Sequence, residues 1–314
     1  MPSGAHDHSH DPRNDEIRIW VNGELKPRAD ATVSVFDSGF VLGDGIWEGL
    51  RIHDGHPAFL DQHLDRLWEG AAALMIDLGL SREELTRALY DTLAANGMTD
   101  GVHVRLMCTR GVKSTPYQDP RVTVGPATVV IIAEHKDPTP ATVVEGLTLF
   151  TTHVRRATPD TIDPKLNAHS KLNDITACIQ AYTAGADEAL MLDPHGFVAT
   201  CNSTHFFCVV EPRNGLSEGP EVWTSDGRFC LAGITRGNML RLCRDAGITA
   251  RETTFSLTDV YSASEAFVTG TFAGVVPVSS VDGRTIGTGA RGPVVERLQG
   301  LYGELVAADV RSRS

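Results

Sequence analysis

The chain has 314 residues, 41% of them apolar and 22% charged, enough for one or two domains with substantial cores. A formal net charge of −12 argues against nucleic-acid and anionic-membrane partners, which need a basic face, and no apolar run is long enough to span a bilayer. The six cysteines form no Cys-x-x-Cys pair and sit in apolar runs, so a reduced, cytoplasmic protein without a structural metal is expected.

Residues 1–15, with His6, His8 and His10 among small polar residues, read as a disordered tail. Ile17–Val21 alternates into the hairpin turn Asn22-Gly23, and Val33–Phe36 is expected as a second strand. A glycine-dense loop, Asp37 to Gly45, leads into a strand over Ile46–Ile52; such density marks a chain approached closely by something else. Asp61 is the expected cap of a helix with the stripe Leu64, Leu67, Trp68, Ala71, Leu74 and Met75, which leaves Arg66 off the core side. A second helix opens at the capping box Ser81-x-x-Glu84. Val102, Val104, Leu106 and Cys108 alternate with His103, Arg105 and Met107, a strand with His103 and Arg105 on one face. Val122–Ala133 is another strand region, broken at Gly125-Pro126.

Glu134–Gly146 turns charged and then Pro-rich and reads as the domain boundary. The expected layout is 16–136 as a smaller N-terminal α/β domain, 137–145 as a linker and 146–314 as a larger C-terminal domain. Within the latter, Leu147–Val154, Ala189–Leu192, Phe197–Thr200, Phe206–Val210 and Ala266–Thr269 read as strands. Leu172–Ala184 and a last segment through Val294, Leu298 and Leu305 read as helices, and Glu211–Pro220 as a loose loop. Strands and helices alternate irregularly, which gives a mixed α/β (α+β) fold class.

The stretch Leu231-Ala232-Gly233-Ile234-Thr235-Arg236 has no helical period until Gly233, after which Met239, Leu240, Leu242 and Cys243 recur at helical spacing. Thr235 is the expected N-cap. The first N–H groups of such a helix make a seat for a phosphate or carboxylate. Gly270-Thr271 ends a strand with a further hydroxyl, and Arg66 is available for bidentate pairing. Lys165 and Lys171 flank His169 where a strand gives way to a helix. A phosphate seat with a lysine nearby suggests pyridoxal 5'-phosphate, which needs an amine for its aldehyde, donors for its phosphate and a partner for its ring nitrogen.

On these residues the chain resembles the fold-type IV pyridoxal-phosphate enzymes, which include branched-chain aminotransferases, D-amino-acid transaminases and aminodeoxychorismate lyases. The matching motifs are Phe36-Asp37-x-Gly39, Gly43-Asp44-Gly45-Ile46-Trp47-Glu48-Gly49, His63-Leu64-Asp65-Arg66-Leu67, Gly185-Ala186-Asp187-Glu188, Gly233-Ile234-Thr235-Arg236 and Phe267-Val268-Thr269-Gly270-Thr271. The resemblance implies a two-domain homodimer with the cofactor in the interdomain cleft. It also implies a phosphate held by Arg66, Gly233, Ile234, Thr235, Gly270 and Thr271. Amino donor and 2-oxo acid are the implied substrates. By the resemblance, Arg105 holds the substrate carboxylate, with Trp47, Arg51, His103, Tyr117 and Ala273 as further candidates. Thr115 and Tyr117 occupy the positions where D-amino-acid transaminases carry Arg and His, which argues against D-specificity.

The pattern departs from the family at the centre of the chemistry. Aligned without a gap, the Schiff-base lysine falls on Asn167, the following tyrosine on Lys171, and the ring-nitrogen glutamate on Thr200. Either the amine has moved to Lys171, expected in the first turn of the helix, or it has moved to Lys165, or pyridoxal chemistry has been lost. A hydroxyl at Thr200 implies a largely unprotonated ring nitrogen and a weaker electron sink. The expected activity is an aminotransferase. The alternatives are a lyase on the same scaffold or a cofactor-free protein binding another anionic small molecule.

Overall fold

In the computed structural model, which describes Ala5, residues 10–212 and residues 219–313, the chain forms two compact units. One comprises Pro138–Lys165 and Leu172–Val306; the other comprises Ser9–Asp137, Leu166–Lys171 and Ala307–Ser314. The change between them falls at Asp137/Pro138, and the short run Leu166–Lys171 belongs with the N-terminal residues.

The N-terminal unit is an antiparallel sheet in the order β2-β1-β6-β5-β3-β4. Its strands are β1 (Arg18–Val21), β2 (Glu24–Pro27), β3 (Gly45–His53), β4 (His56–Pro57), β5 (Val102–Thr109) and β6 (Thr128–His135). Helix α1 (Ser38–Leu42) precedes β3, and helices α2 (Leu60–Ala73) and α3 (Arg82–Ala95) supply the rest of the core. Alternation along β5 does what it should: Val102, Val104, Leu106 and Cys108 are buried with Ile46, Leu50, Leu64, Leu67 and Leu89, while His103, Arg105 and Met107 lie half-buried on the other face. Truncating one such leucine to alanine costs about 2–5 kcal/mol. The Ser81/Glu84 capping box opens α3 with both reciprocal bonds, 3.2 and 2.8 Å.

Several local expectations are corrected. Val33–Phe36 forms no strand; Val33, Val35 and Phe36 are all exposed, so the apolar pattern has no sheet to bury against. The cap of α2 is Phe59 rather than Asp61; Phe59 is left-handed (φ 56°) and its N–H donates to Asp309 Oδ2 at 2.7 Å. Met75 is exposed beyond the end of α2, not part of its stripe. In the expected tail, residues 1–4 and 6–9, with His6 and His8, lie outside the described residues, but Pro12–Glu16 forms a helical turn with Asn14 buried against His135.

The C-terminal unit is built on a nine-stranded sheet with β7 (Leu147–Thr151), β8 (Glu188–Leu192), β9 (Val198–Cys201), β10 (His205–Val210), β11 (Glu221–Thr224), β12 (Ala250–Glu252), β13 (Glu265–Gly270), β14 (Gly274–Val281) and β15 (Arg284–Thr285). The order is β12-β11-β10-β13-β14-β7-β8-β9, with β15 on β14, and parallel and antiparallel pairs are mixed. Helices α4 (Pro140–Glu145), α5 (Leu172–Thr183), α6 (Ile234–Asp245), α7 (Leu257–Tyr261) and α8 (Pro293–Arg311) accompany it, α8 ending in residues of the other unit. Every residue of β10 is buried because the sheet is covered on both faces: Phe206, Cys208 and Val210 enter one core cluster, Phe207 and Val209 another. The Phe207 and Phe267 rings stack at 4.8 Å.

Here too boundaries move. The strand expected over Leu147–Val154 ends at Thr151. Lys171 precedes α5 instead of lying in its first turn. Gly233, not Thr235, is the N-cap of α6, so Thr235 is already helical and buried. Part of the expected Glu211–Pro220 loop, residues 213–218, lies outside the described residues. Among the described residues no helix is long and apolar enough to cross a membrane.

Candidate active site

The segment Leu166–Lys171 is laid against the start of β3. Trp47 N donates to Asn167 O at 3.0 Å, His169 N donates to Gly45 O at 2.9 Å, and Trp47 Nε1 donates to Ala168 O at 3.2 Å. This close approach accounts for the glycines at 43 and 45. A Cβ on Gly45 would stand 2.6 Å from Cys108 O and 3.0 Å from the His169 ring, and one on Gly43 would stand 2.7 Å from Ser170 Oγ. His169 Nε2 donates to Ile46 O at 3.0 Å, which fixes its tautomer. Burial, the largest influence on it, lowers its pKa and keeps it neutral.

Asn167, onto which the resemblance places the family's lysine, is buried, and its Nδ2 donates to Trp47 O at 2.6 Å. Lys171 is half-buried; its Nζ donates to Asn167 Oδ1 at 3.3 Å and lies 5.5 Å above the Trp47 ring. Lys165 is exposed and belongs to the other unit, where its backbone N donates to Asp163 Oδ1 at 2.9 Å.

Strand register places Trp47 opposite Met107, Gly49 opposite Arg105 and Arg51 opposite His103, so Trp47, Arg51, His103 and Arg105 share one face. The Arg105 guanidinium stacks on Trp47, 3.7 Å from the ring centroid. Burial lowers its pKa from the usual arginine value without removing its charge, and among the described residues no carboxylate forms an ion pair with it. Arg51 differs: it is buried and committed to Lys136 O and Asp137 Oδ1. Tyr117 is exposed in the loop after β5. Ala273 lies in the other unit, partly buried against its core.

On the opposite face of β3, Arg66 grips Glu48 through Nε (2.8 Å) and Nη2 (2.7 Å), and His63 Nδ1 donates to the same carboxylate at 2.7 Å. Burial pushes the Glu48 carboxyl up, but the bonds from Arg66 and His63 outweigh it, leaving Glu48 below the ordinary carboxylate value.

In the C-terminal unit, α6 begins at Ile234 with no side chain capping its N-terminus. A Cβ on Gly233 would lie 2.2 Å from His205 Nε2, so only glycine brings the chain into the helix there. Thr235 is buried with Oγ1 3.4 Å from the Tyr302 hydroxyl. Gly270 and Thr271, both half-buried, lie where β13 turns into β14, and the preceding Thr269 Oγ1 is buried without a partner among the described residues. Thr200 Oγ1 donates to Thr204 O at 2.8 Å. Glu188, buried nearby, accepts from Ser203 Oγ, from Ser203 N (3.1 Å) and from Thr204 Oγ1 (3.0 Å); burial raises its pKa.

Sequence reasoning gave no role to Glu48, Glu188 or Thr204. Glu48 and Glu188 lie inside quoted motifs, and a charged residue within an otherwise apolar run was the available signal. The groups present fit pyridoxal phosphate. In the C-terminal unit, uncapped helix N–H groups and threonine hydroxyls suit a phosphate; in the N-terminal unit, Lys171 supplies a primary amine of the kind that condenses with an aldehyde.

The mixed α/β fold is that of the class IV pyridoxal-phosphate aminotransferases. The chain belongs to the amino-transferase class IV family, whose family model matches residues 45–281. It is 40% identical over 297 residues to branched-chain-amino-acid aminotransferase-like protein 2 of Arabidopsis thaliana, covering 94% of this chain and 51% of that protein. The chain therefore spans about half the length of that relative. It is 38% identical to a putative branched-chain-amino-acid aminotransferase of Methanocaldococcus jannaschii, covering 90% of this chain and 94% of that protein. Among solved structures, a T.th. branched-chain amino acid aminotransferase with pyridoxamine 5'-phosphate superposes with a TM-score of 0.85 at 30% identity, covering 94% of this chain and 95% of that one.

Proposed function

We propose that this chain is a pyridoxal-phosphate aminotransferase that moves an amino group between a small amino acid or amine and a 2-oxo acid, with Lys171 in place of the missing lysine at 167. The observation that carries this reading is the Lys171 amine, 3.3 Å from the amide of Asn167. When bound, pyridoxal phosphate supplies an aldehyde that condenses with amines and a ring that accepts electrons from the substrate Cα. Lys171 Nζ would hold the cofactor through its aldehyde carbon and would be the base for the proton on the substrate Cα. Ile234, Thr235, Gly270 and Thr271 of the C-terminal unit offer N–H and hydroxyl donors to the phosphate, while the expected bidentate pairing of Arg66 is taken up by Glu48. Thr200 carries no carboxylate and its hydroxyl already donates to Thr204 O, which supports a weaker electron sink than a carboxylate gives.

Arg105 is the substrate-carboxylate residue on this reading. It is charged, partly desolvated and stacked on Trp47; Glu134 acts on it electrostatically, but among the described residues no carboxylate forms an ion pair with it. Arg51 is occupied by Asp137 and serves to hold the sheet face. The proposed assembly is a cytoplasmic homodimer. Its support is an apolar stripe on α5, where Leu172, Ile175, Ile179 and Tyr182 are 50–78% exposed at helical spacing.

Borohydride reduction followed by peptide mapping tests the reading. Cofactor fixed to Lys171, and lost in Lys171→Ala but not in Lys165→Ala, is the expected result. Cofactor fixed to Lys165, or to no lysine, overturns it. Single half-reactions with a panel of amino acids then separate transfer from elimination.

A further inference from the structure

We infer that Asn167 is a positioning residue for the amine of Lys171, an inference that rests on the role proposed for Lys171 above. The orientation of the Asn167 amide is settled by its partner: Trp47 O can only accept, so the group 2.6 Å from it is Nδ2 and the oxygen faces Lys171 Nζ. The side chain is buried, and its own backbone carbonyl is held by Trp47 N at 3.0 Å, so the amide has little room to turn. A lysine on a flexible four-carbon stem, placed just before a helix, gains a fixed address from this contact.

The chemistry of the acceptor matters as much as its position. An amide oxygen accepts from an ammonium and from a neutral amine alike, and the neutral amine keeps its lone pair for attack. A carboxylate at 167 would favour the charged, non-nucleophilic form. A methyl group there would leave the amine without this anchor. Arg105 stacks on the same indole, and a guanidinium has only donors, so it offers the amine no acceptor.

The test uses the full chain with its cofactor removed. Competitive acetylation, read by mass spectrometry against exposed Lys165 in the same sample, gives the pH profile of Lys171. The rate of pyridoxal phosphate capture gives its placement. Asn167→Asp is expected to move the Lys171 profile up by about one pH unit or more, and so to slow its acetylation at pH 8 about tenfold, with Lys165 unchanged. Asn167→Ala is expected to slow capture about tenfold or more. Asn167→Ser, which is short and polar, replaces either variant if it does not fold. A residue with only a structural role would lower melting temperature and leave the profile relative to Lys165 untouched. Profiles and capture rates within twofold of the unsubstituted chain overturn the inference. If borohydride fixes the cofactor to Lys171 while these variants change nothing, only this inference fails. If Lys171 never carries cofactor, the reading above fails, and the acetylation profile still decides whether Asn167 anchors the amine.

Discussion

The two units handle charge by different means. In the N-terminal unit the candidate site groups are charged side chains: Lys171 against Asn167, Arg105 on Trp47, and Arg66 with His63 around Glu48. In the C-terminal unit they are dipoles: the uncapped start of α6, the hydroxyls of Thr200, Thr204 and Thr235, and a buried Glu188 held by hydroxyl and N–H donors alone. Backbone N–H groups survive almost any substitution, so a phosphate seat built from them holds its motif with little dependence on one atom. An amine that must reach one carbon is a single atom, but it can be delivered from more than one residue. On the proposed reading, that asymmetry lets the amine move from 167 to 171 while the phosphate motif stays intact.

The largest expected effect comes from moving the amine back. Lys171→Tyr alone removes the amine, and turnover is expected to fall by roughly 10²–10⁴-fold, the range ascribed to a positioned acid–base group. Combining Asn167→Lys with Lys171→Tyr restores the family arrangement, and borohydride is expected to fix the cofactor at residue 167 with part of the activity recovered. A double variant as inactive as the single one would mean that β3 no longer accepts an amine at 167, and the two units would not be separable in the way argued here.

Much of the fold was legible because it rests on patterns local in the chain. The alternation of β5, the capping box at Ser81 and the apolar runs of β8 and β10 all appear at or within a residue or two of their expected places. The misreadings share a cause, since each depended on a contact distant in sequence. Val33–Phe36 has strand-like composition but no neighbouring strand to pair with. Phe59 caps α2 because Asp309, 250 residues away, accepts its N–H. The glycines at 43 and 45 signalled a close approach, but not that the approaching chain was Ala168–Ser170. At the site, the resemblance places the family's lysine on Asn167. That Asn167 would face the Lys171 amine was not legible, because Lys171 returns to it from outside the helix.

Arg105 gives a smaller and more selective effect. Arg105→Met keeps the hydrocarbon stem on Trp47 and removes the charge. A hydrogen bond to a charged group contributes about 1.5–3 kcal/mol, so KM for carboxylate substrates is expected to rise roughly 10–100-fold. Pyridoxal phosphate capture should be unchanged, and amine substrates without a carboxylate should be affected little. Steady-state kinetics on one amino acid and its decarboxylated amine make the comparison. Equal losses on both would remove Arg105 from substrate recognition and leave it a structural partner of Trp47.

The smallest expected effect concerns the two buried glutamates and separates the units by pH. Glu48 and His63 both have folded pKa values below their ordinary values of 4.5 and 6.5. For His63 the cause is burial; for Glu48 the bonds from Arg66 and His63 overcome burial. The unfolded chain therefore binds more protons than the folded one as pH falls, and the stability these groups contribute is complete above about 6.5 and declines as pH drops through 6.5 and then 4.5. Glu188 has the opposite sign. Burial raises its pKa, so its contribution is complete below 4.5 and lost as pH rises through its folded value. Glu188→Gln keeps an acceptor for Ser203 and Thr204 and carries no charge. Relative to the unsubstituted chain, its melting temperature is expected to be a few degrees more favourable at pH 7.5 than at pH 4.5, at roughly 2–4 °C per kcal/mol for a domain of this size. Glu48→Gln should show the reverse, a larger penalty at pH 7.5 than at pH 4.5, because it removes a carboxylate that Arg66 and His63 both require. Matching pH trends for the two variants would mean that both glutamates are stabilised alike, and the division between a charge-built unit and a dipole-built one would not hold.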